Sequence, residues 1–269
     1  MQQFELDYAA LVSKVLSTGE VRTTRNGETK SLFAETLTIP MNGDSTFPIL
    51  QGRKMFIKGI LGELAAMLRK PTKLADFEKW GCNYWSKWAK PDGSINVEYG
   101  NAWHADDQII KLKESLLENP TDRRMIISGW RPNLIDDLDL PCCHLLYQFY
   151  VRDGQYIDMI WYQRSVDTMI GLPSDIVFAA AWLSAICNEF GYMTGNITMM
   201  LGDCHIYSEH YEAAGDYIDN VTTTPFLIPD VPHYVNKAPT GKDFCLFEPS
   251  DLIISDYPSH PKLNLELKA

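Results

Sequence analysis

The chain has 269 residues, 45% apolar and 12% aromatic, enough for a large core in one or two domains. Its formal net charge of −11 argues against a nucleic-acid polymer as ligand, because phosphate backbones are held by positive charge. No apolar run reads as long enough to span a bilayer. The opening MQQFELDYAALVSKVL carries acids where a signal peptide carries a basic segment, so a cytoplasmic protein that does not enter a membrane is expected.

Residues 4–16 place Phe4, Tyr8, Leu11, Val12, Val15 and Leu16 at helical spacing, with Gly19 as the stop. Residues 31–40, SLFAETLTIP, alternate as a strand. Residues 55–69 set Phe56, Ile60, Leu61, Leu64 and Leu68 on one helical face, and 107–118 predict another helix that Pro120 ends. Three strand-like runs follow, MIISGW, HLLYQFYV and YIDMIWY, the last two joined by the hairpin signal RDGQ. Ser174 to Phe190 predicts a helix that Gly191 terminates, and NITMML predicts a strand before HIYSEHYEAAGDYI. Helices and strands mix without βαβ alternation, and there is no GxGxxG or Walker loop. A single α+β domain over residues 1–269 is expected.

The cysteines are Cys82, Cys142, Cys143, Cys187, Cys204 and Cys245, too sparse for a secreted disulfide scaffold. None stands in a CxxC pair. Neighbouring side chains on a strand point to opposite faces, so Cys142, Cys143 and His144 are not expected to converge on a metal. Taken alone, Cys143 reads more readily as a small buried residue than as a nucleophile.

Its surroundings decide between these. The chain carries DRR at 122–124, Cys143-His144 before QFYV, YQRSVD at 162–167, GLP at 171–173, GDCHIYSEH at 202–210 and a closing YPSHP. In these motifs, in this order, it resembles the thymidylate synthase family, folate-dependent enzymes that put one carbon on C5 of a pyrimidine nucleotide. The resemblance runs from about Arg22 to the C-terminus. It implies a twisted β-sheet packed with helices, one sheet face at a homodimer interface, and 5,10-methylenetetrahydrofolate as co-substrate.

The resemblance also implies roles. Cys143 is the nucleophile, a low-pKa thiolate that adds to C6 and makes C5 reactive, and His144 follows it. Cys142 stands where the family usually has proline. Arg164 binds the 5′-phosphate and helps lower the thiol pKa, with Ser165 as a hydroxyl donor and Gln163 beside the nucleotide. Arg123 and Arg124 resemble the pair that reaches the other subunit's phosphate, which implies shared active sites. Arg25 resembles the mobile-loop arginine, with Arg22 the alternative. Glu63 matches the glutamate that transfers protons through water, and partial burial beside Ile60, Leu61 and Leu64 would raise its pKa toward a useful range. Tyr99 matches the tyrosine near the C5 proton, and His205 and Tyr207 the holders of the sugar 3′-hydroxyl. Asp167 matches the pterin carboxylate; Trp85, Trp88, Leu140 and Gly171 belong to the folate site.

One departure bears on the substrate. The family's uracil enzymes carry asparagine where GLPSD puts Asp175. Aspartate is a favoured helix cap, but asparagine caps about as well. Base recognition explains the change: cytosine offers N3 as acceptor and a 4-amino donor, the inverse of uracil. The expected substrate is therefore dCMP, as in phage deoxycytidylate hydroxymethylases, in which case the enzyme works in the host cytoplasm. INVEYG and ELAAM depart from the synthase pattern and favour a hydroxymethyl product. The tail KLNLELKA and the Trp85/Trp88 pair favour a dry site and a methyl product. A synthase acting on dUMP and a non-catalytic binding homologue are further alternatives, the last opposed by retention of Cys143, Arg164, Asp167 and Glu63.

Overall fold

Alternating burial along the strands builds the platform on which the site rests. A computed structural model describes residues 2–41, 43, 45–222, 231–255 and 257–268. In chain order the elements are α1 (Gln3–Thr18), β1 (Glu20–Thr24), β2 (Gly27–Pro40), α2 (Ile57–Met67), α3 (Leu74–Glu78), α4 (Gly100–Trp103), α5 (Gln108–Glu118), β3 (Ile126–Ser128) and β4 (His144–Arg152). They continue with β5 (Tyr156–Asp167), α6 (Gly171–Phe190), β6 (Met193–Tyr207), α7 (Tyr211–Thr222), β7 (Tyr234–Asn236) and β8 (Leu252–Ile254). Six strands form one sheet in the order β1-β2-β6-β5-β4-β3, antiparallel except for the parallel β5–β6 pair, while β7 and β8 pair separately. This is the single mixed α+β domain that the sequence predicts.

The parallel pair requires a crossover, which α6 provides between β5 and β6. Its composition and 20-residue length suit a membrane span, which corrects the reading that no run is long enough. Here 72% of its apolar window is buried, so it is a core helix. It packs on the inner sheet face, where Tyr147, Phe149, Trp161 and Met199 are each at most 1% exposed. Trp103 and Trp182 stack beneath them with centroids 4.4 Å apart. The opposite sheet face is half covered at best: Leu146, Ile160 and Tyr162 are partly exposed, and Tyr150 and Met200 are exposed at 60% and 40%.

Several boundaries differ from expectation. RDGQ is a tight hairpin turn, with Asp153 at φ 55° and Gly154 at φ 65°, the left-handed pair such turns need. The predicted 31–40 strand instead starts at Gly27, because β1 folds back onto it in a second hairpin. NITMML is the middle of the 15-residue β6, held between β2 and β5. Within β6, a Cβ on Gly202 would lie 2.6 Å from the Arg164 carbonyl oxygen, so only glycine lets the strands approach here. Gly100 is tighter still, at 1.8 Å from the Met67 carbonyl oxygen. The predicted 174–190 helix begins a turn earlier, at Gly171.

The stacked tryptophans carry a large share of the packing. Trp182→Ala is expected to lower unfolding free energy by about 4 kcal/mol, measured by urea denaturation. Leu117→Ala, at a position 70% exposed, is expected to change it by less than about 0.5 kcal/mol.

Candidate active site

A cavity of about 820 Å³ opens where β5, β6 and the start of α6 meet the 140–144 segment. It receives Arg25 from the β1–β2 turn, Glu63 from α2, Trp85 and Trp88 from the turn at Tyr84–Trp88, and Tyr99. Leu140, Cys143 and His144 line the wall before and at the start of β4. Gln163, Arg164, Ser165 and Asp167 come from β5, Gly171 and Asp175 from α6, and His205 and Tyr207 from β6. Residues distributed over the whole chain therefore converge. Arg123 and Arg124 do not join them: both are exposed just before the edge strand β3, and Arg124 pairs with Asp122 at 2.9 Å. Arg22 also lies outside the lining, its Nη1 3.5 Å from Asp203, so the turn places Arg25 in the cavity instead.

The two adjacent thiols diverge. Cys142 is 2% exposed and its Sγ donates to the Gly129 carbonyl. Burial pushes this thiol up to about 12. Cys143 faces the cavity, and its backbone N–H donates to Tyr99 Oη at 2.9 Å. Arg164 braces this segment: Nε donates to the Cys142 carbonyl and Nη2 to the Pro141 carbonyl, each at 2.9 Å, and the backbone N–H of Arg164 donates to the Cys143 carbonyl. Burial raises the Cys143 thiol above its ordinary value, against the pull of Arg164, the Tyr99 hydroxyl and Arg25. The expected Arg164 effect is thus present, but the expected low-pKa thiolate is not, because desolvation outweighs it. His144 points inward, its ring 4.5 Å from Trp161 and 4.7 Å from Tyr99, with Nδ1 2.5 Å from Tyr147 Oη. Burial lowers its pKa to about 3, so it is neutral.

Two carboxyls in the cavity are held by neutral donors. Tyr84 Oη donates to Glu63 Oε2 at 2.6 Å, and Trp85 Nε1 donates to Glu63 Oε1 at 2.7 Å. Burial raises Glu63 to about 7, where it both takes and gives a proton near neutrality. Asp175 accepts from Gln163 Nε2 at 2.6 Å. Burial, then the charge of Glu63, drives its carboxyl well above the ordinary range. Asp175 lies in the second turn of α6, so a capping role is excluded. Asp167 fixes the turn that leads into α6, its Oδ1 accepting from the backbone N–H groups of Met169 and Ile170.

Other cavity residues escaped the sequence reading. Tyr84 lies in an aromatic run, NYWSKW, whose pattern gives no hint that one hydroxyl meets Glu63. Arg53 lines the cavity although 7% exposed, on a segment fixed when Glu5 Oε1 accepts the backbone N–H groups of Gln51 and Gly52, each at 2.7 Å. Asp203 bonds Ser31 and lies 3.4 Å from His205. Burial opposes a charge on His205, but Asp203 and Asp167 outweigh it and raise its pKa. The C-terminal segment crosses the cavity: Leu263, Leu265, Leu267 and Lys268 line it, Lys87 Nζ donates to the Leu267 carbonyl at 2.5 Å, and Lys268 pairs with Glu209.

Residues 6–269 match the family model described as Thymidylate synthase. The chain belongs to the thymidylate synthase family. Its chemistry is folate-dependent one-carbon transfer to C5 of a pyrimidine nucleotide, with methylenetetrahydrofolate as co-substrate. The cavity fits such a thymidylate synthase relative. Trp85 and Trp88, with Leu140 and the leucines of the tail, give the cavity an apolar wall.

Labelling separates the two thiols. At pH 8, iodoacetamide is expected to modify Cys143 and spare Cys142, as read by peptide mass spectrometry. Arg164→Gln is expected to slow Cys143 labelling by about tenfold, the scale of one pKa unit lost with a nearby positive charge.

Proposed function

We propose that the enzyme acts on dCMP and releases 5-hydroxymethyl-dCMP. The observation that carries this reading is Asp175, a part-buried carboxyl at the cavity wall, held through Gln163 and driven by burial well above the ordinary carboxylate range. A carboxyl here accepts from the cytosine 4-amino group and shares a proton with N3. Addition of Cys143 to C6 builds electron density toward N3, so this proton becomes more useful as the reaction proceeds. Uracil would set O4, with growing negative charge, against the same carboxyl whenever that carboxyl is ionised.

In this reading the Cys143 sulfur bonds to C6, and the thiol proton leaves through the cavity's hydrogen-bonded groups. C5 then bonds to the one-carbon unit supplied by the folate and loses its proton; tetrahydrofolate departs to leave an exocyclic methylene on C5, water adds to that carbon, and the Cys143 sulfur leaves C6 to regenerate the thiol. Glu63, at about 7, relays protons and activates the water that completes the hydroxymethyl group, and Tyr99 stands by the C5 proton. Arg25, Arg164 and Ser165 hold the 5′-phosphate, His205 and Tyr207 the sugar, with Trp85, Trp88, Leu140, Asp167 and Gly171 around the folate. His144, neutral and packed on Trp161, supports the wall rather than shuttling protons. Residues 1–269 act as one catalytic domain in the cytoplasm, that of the host if the gene belongs to a phage. The partly exposed face bearing Leu146, Tyr150, Tyr162 and Met200 pairs two subunits. That pairing gives the exposed Arg123 and Arg124 a phosphate to reach in the other subunit. The tail segment across the cavity favours a second reading, hydride transfer to give 5-methyl-dCMP.

Three experiments test this. Wild-type enzyme is expected to prefer dCMP over dUMP by at least about a hundredfold in kcat/KM, and Asp175→Asn to shift the preference toward dUMP. Equal or better wild-type turnover of dUMP would overturn the substrate assignment. Cys143→Ser is expected to abolish tritium release from C5-labelled nucleotide, with Cys142→Ser retaining most of it. Mixing inactive Arg124→Glu and Cys143→Ser subunits is expected to restore turnover, and sedimentation as a monomer without restored turnover would exclude shared sites.

A further inference from the structure

We infer that Tyr84 is a positioning residue for proton transfer: its hydroxyl, together with the Trp85 indole, holds both oxygens of Glu63 and sets how readily that carboxyl takes a proton. The inference rests on the role proposed above for Glu63. It starts from geometry. The two donors are consecutive residues of one short helical turn, Tyr84–Trp88, and they reach Glu63 at 2.6 and 2.7 Å, one oxygen each. That turn is itself fixed. Trp85 is 4% exposed, lies against Phe77 with centroids 5.1 Å apart and meets Tyr99 edge-on. Glu63 therefore has one supported orientation, facing the same cavity as Cys143 and Asp175.

Among the described residues Glu63 has no ion-pair partner. Its ionised form is stabilised by these two neutral donors alone, against burial. A hydrogen bond to a charged group is worth more than one between neutral groups, so each donor moves the balance between acid and base. The titratable groups facing Glu63 are Cys82 and Tyr84 from the 82–88 segment and Asp175 from α6. Burial raises both Cys82 and Tyr84 far enough to keep them neutral at working pH. Asp175 is the one carboxyl among them, raised from its ordinary range by burial and by the charge of Glu63, and a variant can remove it.

Tyr84→Phe deletes one oxygen and keeps the ring. The readout is tritium release from C5-labelled dCMP or dUMP, whichever wild-type enzyme turns over, across pH 5.5–9.5. Glu63 must be ionised to accept a proton, so its rise in pKa demands a higher pH for the same rate. The acid limb of kcat is expected to move up by about one pH unit or more. The rate should fall about tenfold near pH 6 and recover to within about twofold by pH 9.5, with nucleotide KM and thermal midpoint near wild type. The same displacement is expected in the Asp175→Asn background, read on whichever nucleotide that variant turns over, where the Asp175 carboxyl is gone. An unmoved acid limb, or a uniform loss at every pH, would overturn the inference. Undiminished tritium release by Glu63→Gln would instead overturn the role assigned to Glu63, and the inference with it.

Discussion

Two carboxyls buried in one cavity, with no cation paired to either among the described residues, set the terms for the rest of the molecule. Burial makes an ionised carboxylate expensive, and neutral donors return only part of that cost. Glu63 is left near neutrality and Asp175 above its ordinary range. Such a balance survives only if bulk solvent stays out and the donors stay still. The long core helix α6, the tryptophan stack beneath it and the tail across the opening all serve that end. Arg164 adds charge to the same cavity but directs it to the segment that carries Cys143, where two backbone carbonyls fix it.

Much of the fold was legible because amphipathic periodicity reports which face meets the core. The α1 and α2 helices, the β4–β5 hairpin and the mixed α+β class all followed from it. The edges of elements were less legible. β1 is exposed along its whole length, so it carries no alternation to read; its pairing with β2 alone defines it. α6 starts at Gly171, directly after a turn in which Asp167 accepts the backbone N–H groups of Met169 and Ile170. With that start, Asp175 stands in the second turn of α6, past the cap position and at the cavity wall.

The site was legible in its motif residues and illegible in what supports them. A motif marks Cys143, Arg164 and Glu63, but long-range contacts supply their second partners. Tyr84 sits 21 positions from Glu63, and Glu5 reaches the loop of Arg53 across 46. No local spacing encodes such pairs. The motif glycines are more readable in hindsight: Gly100 and Gly202 stand where a Cβ would strike a neighbouring carbonyl. Arg123 and Arg124 form the opposite case, since a motif names them while a single chain leaves them in solvent.

The last residues of the chain also shape how the protein is handled. Leu263, Leu265, Leu267 and Lys268 sit at the cavity, tied down through Lys87 and Glu209. A purification handle fused after them would begin at the mouth of the site and pull on those ties. Glu20–Thr24 offers no better attachment point, because its turn carries Arg25. The beginning of α1, whose Gln3 is exposed, lies outside the cavity lining, so immobilisation through the N-terminus leaves the entrance open.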